Sequence, residues 1–67
     1  MIDLVINGEL RQFPSPLSLT QLMDSLSMAG KRIAIEKNGE IVPRSQYGET
    51  QLLDGDRLEI VVAVGGG

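Results

Sequence analysis

Ile2, Leu4 and Ile6 alternate with Asp3, Val5 and Asn7, a period of two that predicts a strand with one buried face. Asn7-Gly8 follows directly, and that pair favours the positive φ values of a tight hairpin turn. Leu10 to Phe13 reads as the return strand, with Leu10 and Gln12 on one face and Arg11 and Phe13 on the other. Pro14 and Pro16 end it, because proline has no N–H to give a ladder. The period then changes. Leu19, Leu22, Met23 and Leu26 fall at i, i+3, i+4 and i+7, the apolar stripe of a helix, while Thr20, Asp24 and Ser25 take its wet side. Ser18, three residues before Gln21, has the spacing of a capping box, and Gly30 is the expected helix stop.

Alternation returns at Ile33, Ile35 and Lys37, set against Ala34 and Glu36. Asn38-Gly39 predicts a second hairpin turn, and Glu40-Ile41-Val42 a short fourth strand stopped by Pro43. Residues 44–53 are mostly polar and read as irregular, anchored by Tyr47 and Leu52. Asp54-Gly55-Asp56 reads as a turn. The last strand is expected over Arg57 to Val64, with Leu58, Ile60 and Val62 inward and Glu59, Val61 and Ala63 outward. The order is therefore β-β-α-β-β-loop-β, a lone helix on one face of a mixed sheet of four to five strands. That is a two-layer α+β domain. The first and last strands are both β-branched and apolar on one face, as central neighbours would be. This arrangement is the β-grasp, or ubiquitin-like, roll. It predicts one domain over residues 1–64 and a flexible glycine tail over 65–67.

Composition narrows the function more than the fold. The 67 residues hold no cysteine and no histidine, which leaves no thiol nucleophile, no imidazole base, no disulfide and no ordinary zinc site. That removes most enzyme classes, and we expect no bound metal or cofactor. A net charge of −3 with one Phe, one Tyr and scattered cations offers neither a basic patch nor a stacking platform for nucleic acid. No apolar run approaches a membrane helix and Met1-Ile2-Asp3 lacks a signal-peptide pattern, so no membrane association and a cytoplasmic location are expected. Asp54 and Asp56 flank a glycine as turn residues do, and regularly spaced oxygen ligands for calcium are missing. Met23 and Met28 read as core and helix-end packing. Arg44 and Arg57 either pair with a partner's acids or are simply solvated.

Gly65-Gly66-Gly67 is the unusual feature. Glycine loses the most entropy on ordering and brings no side chain to bury, so such a run adds nothing to stability. A segment without Cβ atoms is, however, thin enough to carry a terminal carboxylate through a narrow channel into another protein's active site.

With these residues in place, the chain resembles the ubiquitin-like sulfur carriers of the ThiS family. Asn38-Gly39-Glu40-Ile41-Val42-Pro43-Arg44, Leu53 to Val61 and Val64-Gly65-Gly66-Gly67 carry the match, together with Val5-Ile6-Asn7-Gly8 and Ser18-Leu19. Tyr47 after Pro43-Arg44 fits as well; the third glycine, Gly65, departs from the pattern and leaves the terminal pair intact. The resemblance implies a protein co-substrate rather than a catalyst. An E1-like adenylyltransferase, using ATP and magnesium, would adenylate the carboxylate of Gly67. A persulfide donor such as a cysteine desulfurase would convert it to a thiocarboxylate, and thiazole synthase would take the sulfur for the thiazole ring of thiamine. The absence of cysteine is consistent with sulfur riding on the chain's own carboxyl group. No phosphate-binding glycine loop followed by lysine is present, which leaves ATP to the partner. Gly65, Gly66 and Val64 would be held by partners, and Val61 and Ala63 beside Val5 would form an apolar docking patch on the open sheet face. Two alternatives stay open: the same chemistry serving molybdopterin or tRNA thiolation, and a ubiquitin-like module that only binds.

Overall fold

A computed structural model describes residues 1–28 and 30–62. The strands are β1 (Ile2–Ile6), β2 (Glu9–Phe13), β3 (Ile33–Lys37), β4 (Glu40–Val42) and β5 (Arg57–Val62), and an α-helix, α1, spans Leu19–Ser25. The five strands form one sheet in the order β2-β1-β5-β3-β4. β1 and β5 pair in parallel, and every other neighbouring pair is antiparallel. The expected mixed sheet, with first and last strands central and adjacent, is therefore present.

Both Asn-Gly turns have the geometry their composition favours. Asn7 and Gly8 have φ of 50° and 83°, and Asn38 and Gly39 have 53° and 87°, so both central residues lie in the left-handed region that matches strand twist. The inward sets pack as alternation predicts: Ile2, Leu4, Ile6, Phe13, Ile35, Val42, Leu58 and Ile60 are buried with Leu19, Leu22 and Met23 of α1. Arg11 shares the inward side of the β2 edge with Phe13, its guanidinium 5.7 Å from the ring centroid, a cation–π contact that covers the exposed side of the ring.

The capping box is complete, with Gln21 N–H donating to Ser18 Oγ and Ser18 N–H to Gln21 Oε1. The helix ends earlier than expected, at Ser25 rather than near Gly30. Ser27 takes the left-handed conformation, φ 59°. Its N–H donates to Asp24 O and that of Met28 to Met23 O, the paired bonds of a Schellman ending. Gly30, φ 82°, serves the next turn, which leads into β3. The stretch 44–53 is also more ordered than expected. A 3-10 turn covers Arg44–Gln46, and the following chain hydrogen bonds to the helix entry through Leu52 N–H to Leu17 O and Leu19 N–H to Thr50 O. Tyr47 and Leu52 are buried as anticipated, and Leu17 joins them.

Candidate functional site

β5 is the central strand, and the expected site depends on what it carries past its last described residue, Val62. Two long-range clamps fix it. Asn7 exchanges both of its amide hydrogen bonds with the backbone of Ile60, at 3.1 and 2.7 Å. Asn38 does the same kind of work from the other side: its N–H donates to Arg57 O, its Oδ1 accepts from Arg57 N–H, and its Nδ2 donates to Asp56 Oδ1. Each turn asparagine thus continues a strand ladder onto β5 after its own strand has ended. Asp56 is buried, and its second oxygen accepts from Leu53 N–H at 2.9 Å. Asp54 accepts from Asp3 N–H at 2.6 Å. Both residues lie in the turn before β5, as expected, with Asp56 bonded to Leu53 and Asn38 and Asp54 to the start of β1.

The outward face of β5 carries Arg57, Glu59 and Val61. Val61 is 62% exposed and pairs with Ala34. Beside them Glu59 stands opposite Glu36, and Glu36 in turn opposite Ile41, which is 66% exposed. The open sheet face therefore presents a small apolar area of Val61, Ala34 and Ile41, edged by two carboxylates.

Val5 is not part of that area, which corrects the expected grouping. It faces outward and is half-buried, but its partner on β5 is Arg57 and its partner on β2 is the exposed Leu10. Four residues of strand, about 13 Å at 3.3 Å each, separate Arg57 from Val61. The parallel register of β1 against β5 is the cause: β1 ends opposite Leu58, and beyond it the strand that β5 pairs with among the described residues is β3. Ala34, Ile41 and the Glu36–Glu59 pair were missed in the sequence because alternation assigns faces but not which residues stand opposite. Ala63, Val64, Gly65, Gly66 and Gly67 lie outside the described residues.

Among the described residues no group of three or more His, Cys, Asp or Glu could hold a metal ion. Nor is any helix there long and apolar enough to cross a membrane.

The model of the ThiS family matches residues 4–67, nearly the whole chain and the glycine run with it. The chain belongs to the ThiS family. The sulfur carrier protein ThiS of Bacillus subtilis is 38% identical over 50 residues, which is 75% of this chain and 76% of that one. A thiazole synthase of Paramagnetospirillum magneticum is 45% identical over 66 residues, 98% of this chain, yet the chain spans only one fifth of that protein's length. The crystal structure of the thiamine biosynthesis protein ThiS from Geobacter metallireducens superposes with a TM-score of 0.83 at 30% identity, covering 98% of this chain and all of that one. The fold is accordingly the β-grasp of the family.

Proposed function

We propose that this protein is a sulfur carrier of thiamine biosynthesis, a co-substrate whose reactive group is the C-terminal carboxylate of Gly67. The observation that supports this reading is that the family match runs through Gly67 and so takes in the side-chain-free run. The body, residues 1–64, is a handle; residues 65–67 are the part that enters other active sites.

A carboxylate is a poor acyl donor because oxide would have to leave. In the proposed sequence one oxygen of Gly67 attacks the α-phosphorus of ATP on an E1-like adenylyltransferase, which also holds magnesium, and pyrophosphate departs. A persulfide sulfur, supplied by a donor of the cysteine desulfurase type, attacks the acyl adenylate and expels AMP. Attack of a thiol on the resulting S–S bond frees the thiocarboxylate, which donates its sulfur on thiazole synthase. The existence of thiazole synthases that contain a segment like this chain supports thiazole formation over molybdopterin or tRNA thiolation. Gly65 and Gly66 would line up in the partner's channel, with Val61, Ala63 and Val64 in contact at its entrance.

The test is the intact mass of the protein purified from its own cells. A fraction heavier by one oxygen-to-sulfur exchange, localised to Gly67 by fragmentation, is expected. Deleting Gly67 should abolish ATP-dependent adenylate formation while the melting transition stays in place. Sulfur transfer by the truncated protein would show the reading to be wrong.

A further inference from the structure

Met28, Gly30, Lys31 and Ile33 meet Arg44 and Tyr47 around a pocket of about 210 Å3. Its lining grades from buried Met23 and Tyr47, through half-buried Met28 and Ile33, to exposed Lys31 and Arg44. The pocket thus has an apolar floor and a cationic rim. Ile33 stands opposite Val62, so the pocket lies at the end of the sheet where β5 finishes. Ile33 shares the inward side of β3 with the buried Ile35, which sets the pocket apart from the open face that carries Val61.

We propose that this pocket is a second hold-point for the protein that takes the tail: it receives one large apolar side chain of that partner, with carboxylates next to the anchor meeting Lys31 and Arg44. The proposal rests on the carrier reading and adds a surface to it. Size argues for a side chain. Sites for small molecules and cofactors run to about 300–1,000 Å3, whereas 210 Å3 suits a single anchor of the kind that dominates interface energetics. Methionine adapts its shape to what enters. Charge argues for an acidic surround: in a chain of net charge −3, two of six Lys and Arg residues stand at this one opening, and such complementarity selects partners and steers encounter.

The experiment is the double reversal Lys31→Glu, Arg44→Glu, chosen because both side chains are exposed. Its Kd for the adenylyltransferase and for the thiazole synthase of the same organism is measured by calorimetry at low and high salt beside wild type. We expect binding to at least one of them to weaken about tenfold or more at low salt, with its salt dependence largely gone. Affinities for both within twofold of wild type would overturn the proposal. So would amide shifts at Lys31, Ile33 and Tyr47 on titration with inorganic phosphate or isovalerate while partner binding ignores the reversal; the pocket would then belong to a small anion. Failure here is separable from failure of the carrier reading. A wild-type protein that binds and forms the thiocarboxylate, but is indifferent to the reversal, loses the pocket alone; one that binds neither partner loses both.

Discussion

On the inward side of β5, Leu58 and Ile60 are buried against β1, β3 and the helix layer, whereas one residue along, Glu59 and Val61 stand in solvent beside Glu36 and Ala34. The two sides alternate in the same six-residue strand, yet they answer to different demands. The inward side is filled, with Leu58 at 1% exposure. The outward side contains a like-charge pair directly across the ladder, which costs a little stability, and an apolar patch that is exposed among the described residues. A central strand that kept only the first demand would have no reason for the second. The contrast separates residues that hold β5 in place from residues that a partner is free to read.

Breaking the inward side should have the largest effect. Leu58→Ala removes a fully buried side chain at the meeting of β1, β3 and β5 and should cost about 2–5 kcal/mol. Since a chain of this length holds only about 3–10 kcal/mol, a large shift or loss of the urea midpoint is expected. Next come the clamps. Asn38→Ala deletes an acceptor for Arg57 N–H and a donor to the buried Asp56, and places alanine at φ 53°. We expect about 1–3 kcal/mol, and Asn38→Gly, which relieves only the backbone, should recover part of it. Equal midpoints for the two variants would show that the loss belongs to the amide alone and that the positive φ adds nothing to it.

The outward side should respond differently. Val61→Ser is expected to change stability by no more than about 0.5 kcal/mol while weakening binding to the adenylyltransferase; unchanged affinity would remove this patch from the docking surface. The smallest effect is a gain. Glu36→Gln relieves the repulsion with Glu59 and should stabilise by a few tenths of a kcal/mol, on the order of 0.2–0.5, an increment that fades in high salt because these charges are screened.

Much of this molecule was legible from spacing. The switch from period two to the 3.6-residue stripe at Leu19, the capping box at Ser18 and Gln21, and the two Asn-Gly turns each depend on atoms close in sequence, and each is found where it was read. The helix end was not. Gly30 has the freedom to end a helix, but Ser27 ends it first, because closing the turn there lets Met28 fold back beside Met23 and reach the pocket. The open-face patch was half legible: the outward side of β5 followed from alternation, and the wrong neighbour, Val5, was joined to Val61.

The chain alone therefore determined which elements form, which of their sides are apolar, and that a run of glycines follows the last strand, since all three depend on local conformational preference and on the hydrophobic period. Tertiary structure decided register, and with it everything that is shared between strands. The offset of β1 against β5, the pairing of Val61 with Ala34, the reach of Asn7 and Asn38 onto β5 and the placing of Lys31 and Arg44 at one pocket all join residues distant in sequence. They are set by how closed layers fit around one small core, and no short-range pattern encodes that fit.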